Sequence, residues 1–279
     1  MRRIIMKKLL VKALALAVCM STLCLAGCGA KPDAPAPAPA AGNTSEGSSE
    51  FKTLESGKLI IGTNAEFPPF EYVGDDGEPD GFDIALIKAV GEKLGLEVEI
   101  QNMEFSSLVT AIGSKIDGAI AGMTITEERL QTVDFSDPYY EAVQYVLVTS
   151  DSDIKSAEDL VGKNIGVQLG TTGNFIAEDD IEGATVNAYN KAVDAVNDLV
   201  NGKNDAVIVD KNPALVFESN FEGQVVALEG SQFGFENEQY AIALPKDSEL
   251  TPAVNKALEE LKADGTFDEL VKKYIEEAE

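Results

Sequence analysis

Two segments of the chain repeat one another in the same order. Gly57-Lys58-Leu59-Ile60-Ile61-Gly62-Thr63 is echoed by Gly162-Lys163-Asn164-Ile165-Gly166-Val167. Lys115-Ile116-Asp117-Gly118-Ala119-Ile120-Ala121-Gly122 is echoed by Lys203-Asn204-Asp205-Ala206-Val207-Ile208-Val209-Asp210. These apolar runs are too short for helices and are bounded by turn-forming or charged residues, so they read as buried strands, while the stretches between them have helical spacing of apolar residues. The pattern predicts strands at 58–63, 96–101 and 118–121 with helices at 82–94 and 105–112. A second series places strands at 164–168, 185–189 and 205–209 with helices at 172–178 and 191–201. Alternation of strand and helix is α/β order with parallel pairing, and its recurrence predicts one lobe built twice. In such sheets ligands sit beyond the carboxyl ends of the strands, which directs attention to 64–70, 122–129, 168–172 and Asp210 as the walls of a cleft between lobes.

What precedes the repeat is not expected to fold. Residues 1–12 are basic, Leu9 opens an apolar stretch that ends in small residues, and the whole has the form of a secretory signal peptide over residues 1–27, with a retained membrane helix as the alternative. Arg2-Arg3 is read as an ordinary basic start rather than a twin-arginine signal. Residues 28–50 are rich in Ala, Pro and Ser, with Ala34-Pro35-Ala36-Pro37-Ala38-Pro39 favouring an extended tether.

Composition removes whole classes of chemistry. The chain of 279 residues has no His and no Trp, and its three cysteines are Cys19, Cys24 and Cys28. Beyond residue 28 there can be no Ser-His or Cys-His nucleophile pair and no His or Cys zinc site. No metal and no cofactor is expected. Basic residues number 22 against 48 acidic ones, and without the five leader positives the balance is 17 against 48, a charge of −31. Nucleic acid is therefore not an expected partner, and anionic headgroups should repel the body, so a membrane attachment has to be covalent.

Against this background one residue is singular. Arg129 is the only arginine after the leader, among sixteen lysines. Its planar fork suits bidentate binding of a carboxylate, and Thr126 is placed to cap a short helix whose first turn holds it. An ion pair with Asp134 or Asp137 is the plainer alternative. Asp210 closes an apolar run ahead of Lys211-Asn212-Pro213 and either caps a helix starting near Pro213 or receives a ligand ammonium opposite Arg129. A carboxylate clamp facing an ammonium clamp describes an α-amino acid. Phe67-Pro68-Pro69-Phe70-Glu71-Tyr72 forms a stiff aromatic loop in which Phe67 is assigned to the ligand and Phe70 to the core. Gly170-Thr171-Thr172-Gly173 offers backbone N–H groups but is not a phosphate-binding loop. Gly74-Asp75-Asp76-Gly77-Glu78-Pro79-Asp80-Gly81 lacks the spacing of a calcium loop and reads as a solvated hairpin turn.

The residues resemble a known family, the extracytoplasmic solute-binding proteins of polar amino acid ABC transporters, with the α/β two-lobed periplasmic binding protein fold of type II. The likeness covers residues 57 to about 275. It is carried by Gly62-Thr63 with Pro69-Phe70-Glu71, Gly81-Phe82-Asp83, Ala121-Gly122-Met123-Thr124-Ile125-Thr126 with Arg129, Asp134-Phe135-Ser136-Asp137-Pro138-Tyr139-Tyr140, Gly170-Thr171, and Asp264-Gly265-Thr266 with Lys273-Tyr274. The resemblance implies that Arg129, Gly122, Thr124 and Thr172 hold a ligand α-carboxylate and Gly122 and Asp210 its α-ammonium, while Asn64, Phe67, Phe105 and Gln168 surround the side chain. It implies lobe 1 from 51–138 and 241–279, lobe 2 from 144–234, and hinge crossovers at 139–143 and 235–240. Leu25-Ala26-Gly27-Cys28 resembles a lipobox, which implies acylation of Cys28 and a lipid anchor on the outer face of the cell membrane. The implied function is non-catalytic: a monomeric receptor closes on a free polar L-amino acid and delivers it to an ABC permease with its ATPase. Asn64 stands where many relatives carry an acid, which weakens a dedicated lysine or arginine site, although Glu66 or Glu71 supplies negative charge nearby. The alternatives are a same-fold enzyme such as a cyclohexadienyl dehydratase, with Glu66 or Glu71 as its acid–base group, and an amino acid sensor module acting through a separate partner.

Overall fold

The computed structural model describes residues 51–276; the leader, Cys28, the linker and residues 277–279 lie outside the described residues. In chain order the elements are β1 (Lys58–Thr63), β2 (Glu66–Phe67), β3 (Glu71–Val73), β4 (Pro79–Asp80), α1 (Phe82–Leu94), β5 (Glu97–Asn102), α2 (Leu108–Ala111), β6 (Gly118–Ala119), α3 (Glu127–Leu130), β7 (Val133–Phe135) and β8 (Tyr140–Thr149). They continue with β9 (Asn164–Gln168), α4 (Thr172–Phe175), β10 (Thr185–Tyr189), α5 (Ala192–Val200), β11 (Ala206–Asp210), α6 (Lys211–Asn220), β12 (Val225–Leu228), β13 (Asn237–Tyr240), β14 (Ala243–Pro245), α7 (Leu250–Ala263) and α8 (Thr266–Val271).

The repeat seen in the sequence recurs in the topology. One sheet runs β5-β1-β6-β14-β7 and the other β10-β9-β11-β8-β12. In each, the first strand of its series lies between the other two and pairs parallel with both. Period-two alternation sends successive side chains to opposite faces, and both faces are covered. Leu59 and Ile61 of β1 join one core and Ile60 another, while Val207 and Val209 of β11 face one way and Ala206 and Ile208 the other.

β8 and β13 run between the two sheets. The first four residues of β8 pair antiparallel with β13, from Tyr140↔Tyr240 to Asn237↔Val143, and the remainder pairs with β11 and β12. An aromatic knot packs at this junction: Phe70 lies 4.9 Å from Tyr140 and 5.3 Å from Tyr240, edge to face, and Phe82 stands edge-on to Phe70. Phe70 is fully buried, the core role its position implied.

α1 follows from its sequence. Phe82, Leu86, Ile87 and Val90 form its buried stripe, and Gly95 ends it in the left-handed region with its N–H on the carbonyls of Glu92 and Gly91. Gly81 enters it at φ 124, where a Cβ would stand 2.3 Å from the carbonyl oxygen of Phe70. The 105–112 helix is split into a 3-10 turn over Phe105–Ser107 and α2, because Ile112 turns extended and Gly113 at φ 76 folds back onto Ile116. The 118–121 strand stops at Ala119. The 172–178 helix gives way after Phe175 to a wider π turn over Ile176–Asp180. β11 runs one residue later than the apolar run suggests, so Asp210 is its last residue.

Candidate functional site

The segments at the ends of β1, β5, β6, β9 and β11 open toward the same space. Asn64 and Phe67 follow β1, Phe105 follows β5, Gly122 and Thr124 follow β6, and Arg129 sits on α3. From the other lobe come Gln168 at the end of β9, Thr172 at the start of α4 and Asp210 at the end of β11. All nine line one pocket, with Glu71, Ala121 and Thr171. As the walls stand, its free volume is about 10 Å³, about the room of one water.

The cationic side of the pocket is Arg129. It is buried, Thr126 caps its helix by accepting the Arg129 N–H at 3.2 Å, and its guanidinium donates to the Thr124 carbonyl at 2.6 Å and, across the cleft, to the Gly170 carbonyl at 2.9 Å. The Phe105 ring lies 5.4 Å from the guanidinium carbon. Of the two acids that offered a plainer alternative, Asp134 pairs instead with Lys246 at 2.7 Å. Burial pulls Arg129 down to about 10, against the opposing fields of Glu238, Asp210 and Glu128, so it is charged at neutral pH.

Asp210 forms the anionic side. It precedes α6 yet makes no side-chain cap bond. Instead it accepts the Tyr240 hydroxyl at 2.5 Å. Burial, with the Glu238 charge added, pushes Asp210 up to about 7.

Gly122 has a divided role. At φ 51 its Cβ position would lie 2.9 Å from the Phe67 ring, so only glycine fits. Its N–H donates to Asp83 at 2.8 Å, and Tyr139 donates to the same oxygen at 2.8 Å. The N–H is thus unavailable to a ligand carboxylate, and of the two roles the resemblance implies, the ammonium role alone is open, through the carbonyl. Beneath it Glu71 is fully buried with neither carboxyl oxygen bonded, and Asp83 keeps one oxygen unpartnered. Burial and then the Asp83 charge raise Glu71 well above the ordinary range, while burial brings Asp83 to about 6. One proton held between these two carboxyls is the arrangement that satisfies both.

The amides meet across the cleft. Gln168 donates to Asn64 at 2.8 Å and to the Asn190 carbonyl at 3.1 Å, and Asn64 donates to the Met103 carbonyl at 3.1 Å. Glu66 leaves the pocket and pairs with Lys191 of the opposite lobe. Thr124 and Thr172 both donate their hydroxyls to Glu238, at 2.6 and 2.9 Å. Thr124 faces Tyr240 in an isolated bridge flanked by the bonds Ala241 N–H to Met123 and Ile125 N–H to Gln239. In that non-bonded register its own peptide groups point away from β13, toward the side where Arg129 takes its carbonyl. Glu238, Gln144, Asp83 and Tyr240 were missed in the sequence. Nothing in Phe235-Glu236-Asn237-Glu238 separates Glu238 from solvated acids; the pairing of β13 with β8 gives it its place.

The comparisons agree with this architecture. Residues 59–277 match the family of bacterial extracellular solute-binding proteins, family 3. The arginine-binding extracellular protein ArtP of Bacillus subtilis is 39% identical over 242 residues, covering 85% of this chain and 91% of ArtP. The crystal structure of ArtJ, an arginine-, lysine- and histidine-binding protein of Geobacillus stearothermophilus, superposes with a TM-score of 0.73 at 40% identity, covering 78% of this chain and 95% of ArtJ. An ancestral arginine-binding protein bound to glutamine gives a TM-score of 0.74 at 43% identity, over 79% of this chain and 99% of the other. With a family match spanning both lobes and relatives of this identity and coverage, the chain belongs to the bacterial extracellular solute-binding proteins, family 3.

Proposed function

We propose that the protein is a lipid-anchored, non-catalytic, monomeric receptor that closes its lobes on a free polar L-amino acid and hands it to an ABC permease with its ATPase. Arg129 and Asp210, opposed across one buried pocket and neither bonded to the other, carry this assignment: a desolvated guanidinium whose bonds go to two peptide carbonyls, and a carboxylate beside a phenol and the Gln144 amide, want an α-carboxylate and an α-ammonium. Thr124 and Thr172 add backbone N–H groups at the carboxylate, and the Gly122 carbonyl an acceptor at the ammonium. Asn64, Phe67, Phe105 and Gln168 surround the side chain. The crossovers 139–143 and 235–240 are the hinge, because the paired starts of β8 and end of β13 run between the sheets. The tether and an acylated Cys28 keep the receptor at the outer face of the cell membrane.

The side chain we assign is cationic, of the arginine class. Glu71 lines the pocket with a carboxyl that shares a proton with Asp83, and a guanidinium beside it would favour its ionised form and pair with the charge. The names of ArtP and ArtJ support this class. The amide pair Asn64–Gln168 favours glutamine as the second reading, in line with the ancestral relative bound to glutamine. The relatives named here are binding proteins, which supports receptor over enzyme.

A thermal-shift and calorimetry panel of the twenty L-amino acids, on protein stripped of ligand by unfolding and refolding, tests the assignment. A ligand at 100 times its Kd adds about 2.7 kcal/mol of stability. Arginine or glutamine shifting the melt without being consumed is the expected outcome; no shift at millimolar concentrations, or turnover of the ligand, would sink it.

A further inference from the structure

We propose that Glu238 couples the two lobes: one carboxylate on the connecting strand β13 keeps its full set of protein donors only when the cleft is closed, because they come from both sides of it. This deepens the receptor reading by assigning part of the closing energy to a residue outside the ligand pocket.

A single oxygen of Glu238 accepts three hydrogen bonds, from the Thr124 hydroxyl at 2.6 Å, the Thr172 hydroxyl at 2.9 Å and the Gln144 side-chain amide at 3.3 Å. Gln144 also donates to Thr172 at 3.0 Å, so the four side chains form one closed network. Thr124 lies between β6 and α3 and moves with the first sheet, whereas Thr172 opens α4 and Gln144 lies on β8 within the second. Three other contacts cross the cleft: Arg129 to the Gly170 carbonyl, Gln168 to Asn64, and Lys191 to Glu66. The first two use atoms at which a ligand binds, and the third is an exposed ion pair. Glu238 differs from all three. It is absent from the pocket wall and faces the adjoining groove behind Thr124 and Thr172, so a ligand does not displace it. Closure with ligand present therefore keeps the Glu238 network, and opening separates Thr124 from Thr172, so that the half-buried carboxylate exchanges protein donors for water.

The consequence is specific. Hydrogen bonds to a charged group are strong enough that losing this network costs about tenfold in the closed-to-open ratio. That loss appears as faster ligand release, and it is equal for every ligand that closes the cleft.

The experiment compares wild type, Glu238→Ala, Glu238→Gln and the control Glu97→Ala, an exposed acid on β5 at the edge of the first sheet. Probes are L-arginine, L-glutamine and their C-terminal amides, measured by calorimetry and stopped-flow release. Glu238→Ala is expected to weaken each ligand that wild type binds by the same factor, about tenfold, almost entirely in the off-rate. Glu238→Gln, which retains an acceptor oxygen but not the charge, recovers part of the loss, and Glu97→Ala changes nothing. A loss confined to the carboxylate-bearing ligands would place Glu238 at the ligand instead and overturn the inference, as would unchanged or tighter binding. A second arm needs no ligand: small-angle scattering and hydrogen exchange of ligand-free protein should show Glu238→Ala more open, with faster exchange at 122–126 and 170–174. Identical profiles would also overturn it. Wild type binding none of the four probes would count against the amino acid reading, while the ligand-free arm still decides Glu238.

Discussion

At the scale of single residues, the site sets three opposing demands on charge. Arg129 offers two parallel donors from one plane, which a lysine cannot reproduce. Arg129→Lys is therefore expected to weaken amino acid binding at least a hundredfold in calorimetry despite the retained charge, and unchanged affinity would remove Arg129 from the clamp. Asp210 and Asp83 have raised values in the folded protein, about 7 and about 6 against 3.8 for a free Asp, so the folded state holds more protons than the unfolded one between those limits. Stability of the ligand-free protein is then full below about pH 4 from these groups and falls as pH rises toward 7. A pH series of thermal melts should show that decline, flatter in Asp210→Asn. Binding runs the other way: a ligand ammonium needs the ionised Asp210, so affinity should climb from pH 5 to about 7 and then level off. Glu71→Gln keeps the shape but removes the titratable carboxyl. If a cationic side chain sits beside it, arginine should lose tenfold or more while glutamine changes little, and equal losses would end the cationic assignment.

At the scale of elements, glycine positions separate two physical costs. Gly81 and Gly77 both sit at positive φ, 124 and 85. A Cβ at Gly81 would strike the Phe70 carbonyl, whereas nothing lies within 4 Å of one at Gly77. Urea denaturation should therefore show Gly81→Ala destabilised by about 3 kcal/mol and Gly77→Ala by about 1 kcal/mol. How far the elements could be read in advance follows the same division. β1, β9, β10 and α1 coincide with their apolar patterns because each is specified by its own neighbours in sequence. α2, β6 and α4 are cut short by Ile112, Gly122 and the widened turn after Phe175, where the backbone bends to serve the cleft rather than the local pattern. Eight of the nine residues proposed for the ligand lie in the segments after strands of the repeat, 64–70, 122–129, 168–172 and Asp210, whereas Phe105 came from the family resemblance alone. Glu238, Gln144 and Asp83 act through partners 28 to 114 positions away, and no local pattern carries that information.

At the scale of the whole molecule, contacts across the cleft differ in worth. Lys191–Glu66 is half exposed and therefore weak, so Lys191→Ala is expected to change affinity by less than about fivefold in the same calorimetry. A larger loss would make that pair, rather than the buried network, the principal latch. The matched sheet orders β5-β1-β6 and β10-β9-β11 bring corresponding strand ends face to face, and Asn64 and Gln168, which bond across the cleft, come from the ends of the two central strands. Two identical half-length chains pairing in this way would enclose a pocket of the same shape, with the same groups on both walls. Such a pair could hold a small polar molecule but could not tell one end of it from the other. Two halves in one chain can carry an arginine on one wall and an aspartate on the other, and with them a sense of direction in what the cleft holds.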